Sequence, residues 1–182
     1  MNQNSWNNYT QISLPTWLID KQGDLQSTIY KSDTEKMELV FKCVELNVSL
    51  TNGAPLAACV FTTSGNLISV GVDAPGIGGH EMSNALILAS NLMGSSSFRN
   101  NKEIEMFSLA PPCAICQGNI FSESPGRFVS CITHEDLLAH LELPNTPFPK
   151  HDWKKELRDR GVVVEGEVLR VEGIKILGNW SA

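Results

Sequence analysis

Two cysteines three residues apart, with a proline directly before the first, constrain this chain more than any other feature: Ala110-Pro111-Pro112-Cys113-Ala114-Ile115-Cys116-Gln117-Gly118. The spacing suits the opening turn of a helix. Proline is accommodated there because its missing N–H would be unpaired anyway. In that placement both thiolates can address one metal ion. A catalytic zinc takes three protein ligands and keeps its fourth position for water. A good upstream donor is His80, in Gly78-Gly79-His80-Glu81-Met82-Ser83-Asn84-Ala85-Leu86, which also begins a helix-like run. His80, Cys113 and Cys116 thus form a candidate Zn2+ site. The plain alternative is two buried thiols and an exposed histidine.

At 182 residues and 42% hydrophobic content the chain has the length and apolar stock for one full core. It holds no run of about eighteen apolar residues, so no transmembrane helix and no membrane partner are expected. Residues Met1 to Thr10 lack the basic-then-apolar pattern of a signal peptide, and the expected location is cytoplasmic. The five cysteines are odd in number. Cys43, Cys59 and Cys131 sit in apolar runs and read as small core residues, not disulfide partners. A net charge of −6 argues against stable nucleic-acid binding, which needs clustered Lys and Arg. The basic residues from Lys150 to Arg160 are interleaved with acids and read as a solvated helix face.

The chain divides into a lead-in, 1–30, packed on a single domain, 31–182. The lead-in reads as loosely structured, with a short packed segment at 14–19. Ser32-Asp33-Thr34-Glu35 is a capping box that starts a helix, carried by Met37, Val40, Phe41, Val44 and Val48 and ended by Asn52-Gly53. Leu56 to Thr62 and Leu67 to Val72 read as a hairpin turned at Ser64-Gly65. A glycine-rich loop leads to His80 and a buried helix ending at Gly94-Ser95-Ser96-Ser97. Ile104 to Leu109 is a strand that delivers the chain to Cys113, where a helix follows to about Ser122. Phe128 to Thr133 is a strand, His134 to Leu141 a short helix, and Pro144 to Pro149 a loop. His151 to Arg160 is helical and Val162 to Val164 a strand. His134 and His140 read as surface residues. The tail, 167–182, suits helix and strand equally. This order gives an α/β fold, a three-layer α/β/α sandwich with a central mixed sheet of about five strands. Both ligand segments open central helices, whose partly positive N-termini stabilise thiolates.

From Leu14 to Leu169 the chain resembles the cytidine deaminase superfamily, closest to its guanine, cytosine and tRNA-adenosine deaminase branch and like the bacterial guanine deaminases. Ala54-Pro55-Leu56-Ala57-Ala58-Cys59-Val60-Phe61 looks like the family's first strand. Pro112-Cys113-Ala114-Ile115-Cys116 matches its second zinc motif and His80 its zinc histidine, with Asn84-Ala85-Leu86 in register behind it. The stretch from Pro147 to Trp153 is similar to the guanine deaminase C-terminal segment. The resemblance implies a cytidine deaminase-like fold, Zn2+, hydrolysis of a C–N bond in an amino-substituted, nucleobase-like small heterocycle, and a homodimer with zinc near the contact. Phe121, Phe128 and Trp153 are the candidate contact residues.

Three departures surround the implied pocket. Met82 stands where the family has a proton-shuttling glutamate, Asp73 where it has a base-binding asparagine, and Pro111 where it has a glutamate before Pro-Cys. Deamination requires a proton to pass from water to the ring nitrogen and the leaving amine, and a thioether does not carry one. Glu81, one residue away, is rotated by roughly 100° on a regular helix and would need an irregular first turn. Asp73, after the second strand, faces the same pocket, unless it is only a turn residue. His151 and Asp152 suit closure over the site, or helix capping. A register with Gly79 in the histidine slot would place Glu81 in the glutamate slot but leave zinc two ligands. The candidate catalytic residues are therefore Glu81 and Asp73, and the candidate substrate-binding residues Asp73, Met82, Pro111 and Asp152. The leading function is a deaminase-like hydrolase. The alternative is a zinc-loaded pseudoenzyme or non-catalytic ligand-binding subunit, because one subunit of the eukaryotic tRNA-adenosine deaminase also lacks the glutamate. A repurposed catalyst that needs only the Lewis acid is a third reading.

Overall fold

A computed structural model describes residues 13–76, 80–140 and 152–179. The N-terminal stretch 1–10, the loop expected at 144–149, His151 and the glycine pair ahead of His80 lie outside the described residues. Helix α1 (Thr16–Ser27) forms within the lead-in, where the sequence suggested only a short packed segment. Its apolar residues form no clean stripe, but Trp17, Leu18 and Leu25 are buried in the core, and packing of this kind outweighs weak local propensity.

The capping box forms as read. Ser32 Oγ accepts the Glu35 N–H at 3.2 Å, and the Glu35 carboxylate accepts the Ser32 N–H at 2.9 Å. Two of the N–H groups that a helix start leaves unpaired are satisfied this way. Helix α2 (Asp33–Thr51) follows and stops at Asn52, whose φ of 56° takes the left-handed turn. Strands β1 (Ala57–Thr62) and β2 (Leu67–Val72) pair antiparallel. Then come α3 (Glu81–Met93), the short α4 (Ser95–Phe98) in place of a plain loop, and β3 (Ile104–Ser108). Helix α5 (Ala114–Glu123), β4 (Arg127–Ser130), α6 (His134–His140), α7 (Trp153–Asp159), β5 (Val163–Gly166) and α8 (Arg170–Gly178) complete the order.

The five strands lie in the order β2-β1-β3-β4-β5. β1 is antiparallel to both neighbours, and β3, β4 and β5 are parallel, so the sheet is mixed as expected. Alternate residues of one strand serve opposite faces. Ala57, Cys59 and Phe61 of β1 join Phe107 and Val129 under α1, α2 and α8. Ala58 and Val60 join Met106 and Phe128 under α3, α5 and α7. The sheet and the helices on its two buried faces make the three layers of an α/β/α sandwich. Cys43, Cys59 and Cys131 are free and buried, as read. Among the described residues no helix is long and apolar enough to cross a membrane.

The tail becomes α8 for a steric reason. A Cβ at Gly173 would collide with Cys131 Sγ, so only glycine lets this helix rest on the end of β4. Arg170 then clamps α8 to α6: its Nε and Nη2 donate to Asp136 at 2.8 and 3.0 Å. At the amino ends of β3 and β4, Glu105 pairs with Lys36 and Arg127, while Arg127 also reaches Asp33 and Glu165.

Gly71 fixes the approach of α3 to β2. A Cβ there would overlap the carbonyl oxygen of Glu81 and come within 2.5 Å of the Ala85 N. Gly71→Ala should therefore cost about 2 kcal/mol or more, read as a lower urea midpoint; an unchanged midpoint would mean that α3 does not lie against β2 there. Separately, the Arg170 guanidinium holds the Asp136 carboxyl down to about 2. A depressed carboxyl stabilises the fold above its unfolded value near 4, and that contribution disappears as pH falls toward 2. The difference in urea midpoint between the native chain and Arg170→Ala should be present at pH 7 and shrink at pH 2.5.

Candidate functional site

Two helix starts meet over the sheet. His80 is the N-cap of α3, in extended backbone (φ −108°, ψ 160°), and is half-buried. Cys113 is the N-cap of α5, and its sulfur accepts the Cys116 N–H at 3.4 Å. α3 and α5 pack side by side. Ser83 links them, accepting a hydrogen bond from Asn119 Nδ2 at 2.8 Å while its hydroxyl lies 4.0 Å from Cys116 Sγ.

The two sulfurs are 3.1 Å apart. The hydrogen bond from Cys116 draws the Cys113 thiol down to about 6, helped by the Cys116 N–H and the charge of His80, while the Cys116 thiol is driven well up. A thiolate is thus available at Cys113, the ligand form a soft divalent ion requires. One imidazole and two sulfurs suit zinc in type.

The strand β2 brings a third group. Asp73 follows its last residue and is half-buried. Its carbonyl oxygen is held by Asn47 Nδ2 at 2.8 Å and the Ala54 N–H at 2.9 Å. Asn84 Nδ2 donates to Val72 O at 3.3 Å and Ser69 Oγ to Ala85 O at 2.7 Å, strapping the end of β2 to α3. Among the described residues, the group whose donor atoms all lie within 4.8 Å of one another is Asp73, His80 and Glu81. The Cys113–Cys116 pair stands beside this group and not within it.

Glu81 and Met82 diverge by the rotation expected of adjacent helical residues. Met82 is fully buried in the apolar cluster that also holds Cys113 and Cys116. Glu81 is 4% exposed and faces Asp73 and His80. No irregular first turn is needed, because His80 lies outside the helix and the chain bends between the two. Burial, with the negative charges of Cys113 and Asp73 beside it, pushes the Glu81 carboxyl up to about 8.

Pro111 is buried on the approach to α5. Asp152 is exposed and caps α7, where its Oδ1 accepts the Lys155 N–H at 3.0 Å. His134, expected at the surface, belongs to the surroundings of the site. It is half-buried, its ring leans on Trp153 at 6.2 Å between centroids, and it bonds the backbone of Pro112, so it steadies the turn that carries Cys113. Its place directly after a strand was the available signal. His140 is also half-buried, with Nδ1 2.9 Å from Asp136 O. Phe128 and Trp153, expected at a dimer contact, are core residues here and stack edge-on at 5.8 Å.

The fold is that of the cytidine deaminase superfamily. A guanine deaminase structure from Nitrosomonas europaea is 24% identical over 98% of this chain and 99% of that one, with a TM-score of 0.83. A structure from work on A-to-I editing by tRNA:A34 deaminases is 14% identical over 79% and 99%, with a TM-score of 0.58. A Bacillus subtilis guanine deaminase is 15% identical over 71% and 91%, with a TM-score of 0.50. Structures of an NE0047 mutant in complex with 8-azaguanine and of NE0047 in complex with 2,6-diaminopurine also match. No family model matches the sequence, and no curated protein matches it.

Met82→Glu would place a carboxyl among fully buried apolar side chains. It should lower the stability of metal-free protein by about 2 kcal/mol, measured by urea denaturation. An equal stability would mean that the side chain escapes the core.

Proposed function

We propose that the chain is a zinc-dependent hydrolase of the deaminase type, acting on an amino-substituted, nucleobase-like heterocycle. The observation that carries this reading is the position of Glu81. A buried carboxylate stands beside the sulfur pair and within reach of Asp73 and His80, although Met82 occupies the position where the resemblance expects the acid. His80, Cys113 and Cys116 are the residues that would hold zinc, which when bound supplies a Lewis acid for activating water.

Glu81 Oε would take the first proton from the attacking water and pass it to the ring nitrogen, then take the second proton from the hydroxyl of the tetrahedral adduct and pass it to the departing amine as the C–N bond breaks and the C=O bond forms. Asp73 Oδ accepts hydrogen bonds from the amidine N–H groups of the substrate and orients them. Met82 fills the space beside the sulfurs and keeps that side of the site dry. The small heterocycles in the matching structures, 8-azaguanine and 2,6-diaminopurine, are of the class proposed. The net charge of −6 favours such a molecule over a nucleic acid. The homodimer enters the proposal on the resemblance alone.

The test is ammonia release from a panel of amino-purines, amino-pyrimidines and triazines, with zinc content measured on the same samples. The native protein should hold one zinc per chain and turn over at least one compound, and Glu81→Gln and Asp73→Asn should each reduce kcat by about 100-fold or more. One zinc per chain without turnover would favour the non-catalytic ligand-binding reading. Zinc-free protein with free thiols at Cys113 and Cys116 would overturn both.

A further inference from the structure

Among the described residues, the two most buried carboxyl side chains have different surroundings. Glu105 is 8% exposed and is matched by Lys36 and Arg127. Glu81 is 4% exposed and has no such partner: among the described residues no lysine or arginine pairs with it or with Asp73. Its carboxylate takes a hydrogen bond from its own backbone N–H, and its charged neighbours, Asp73 and Cys113, are negative. A buried carboxyl with no cationic side chain beside it is a group that a bound cation would complement.

The geometry offers the missing charge a place. One donor atom from each of Asp73, His80 and Glu81 lies within 4.8 Å of the other two, and a single ion 2.0–2.6 Å from its ligands spans about that separation. Two carboxylates and one imidazole form an oxygen-rich set, suited to harder ions than the sulfur pair prefers. The strap from Asn84 to Val72 and the close packing at Gly71 fix Asp73 against the first turn of α3, so the set is held by the scaffold.

We infer that Asp73, His80 and Glu81 form a second cation site, distinct from the sulfur pair, that binds a hard divalent ion of the Mn2+ type. The ion would share His80 with the zinc set. Its effect on turnover rests on the proposed function: a cation on Glu81 and Asp73 occupies both groups assigned to proton transfer and substrate orientation, so this site would inhibit.

The binding claim is tested without activity. Metal-stripped full-length protein is titrated with Mn2+, and free Mn2+ is followed by electron paramagnetic resonance. One Mn2+ per chain should bind to the native protein and equally to the Cys113→Ser/Cys116→Ser variant. Glu81→Gln and Asp73→Asn should each weaken binding by about tenfold or more. Circular dichroism checks each fold, and if Glu81→Gln unfolds, the half-buried Asp73→Asn decides. No Mn2+ on the native protein, unchanged affinity in a folded carboxylate variant, or loss of binding in the folded cysteine variant would each overturn the inference. Cobalt titration separates this from the zinc reading. A thiolate-to-cobalt absorption band without Mn2+ binding leaves the sulfur site standing and removes this one. Mn2+ binding without the band does the reverse.

Discussion

The contact at Gly71 governs the geometry of everything above it. A helix lies on a sheet at a distance set by side chains, and here one position has none. The backbone of β2 therefore meets the first turn of α3 directly. That contact brings the residue after β2, Asp73, to the side chains at the start of α3, His80 and Glu81. The bonds from Asn84 and Ser69 hold it there. A larger residue at 71 would lift the turn and separate groups drawn from two elements.

Charge then explains how the site is divided. The α3 and α5 starts present unpaired N–H groups, which favour negative charge nearby. The Cys113 sulfur answers that at α5. At α3 the acid is Glu81, the first helical residue. The site therefore gathers anionic groups around a single imidazole. Its sulfurs are softer and its carboxylates harder, and they lie on different elements. Such an arrangement is poor for stability on its own and suited to holding a cation. The apolar packing around Met82 closes the remaining side.

The opposite ends of β3 and β4 show what the same fold does with buried charge that needs no ligand. Lys36 lies over the rings of Phe61 and Phe107 at 5.8 and 5.3 Å and pairs with Glu105. Arg127 extends the pairing to α2 and β5. Both signs are present, and the network ties three strands to one helix. It anchors the sheet at one end and leaves the other end for chemistry.

Much of this was legible in the chain. The capping box, the hairpin, the strand that delivers Cys113 and the order of elements all follow from local rules with short range, and they suffice for a mixed-sheet α/β/α sandwich. The spacing of Cys113 and Cys116 fixed their place on one helix start, because three residues make nearly one turn. The tail remained ambiguous until Gly173 met Cys131, and α1 until Trp17 found the core. Neither contact leaves a periodic trace. The direction of Glu81 was likewise beyond reach: sequence spacing assumes that the helix already runs through His80, whereas the helix starts one residue later. Residue types and their order set which groups the site contains. Only the packing of α3 on β2 decided which of them face one another, since that depends on atoms ten residues apart in the chain and in contact in space.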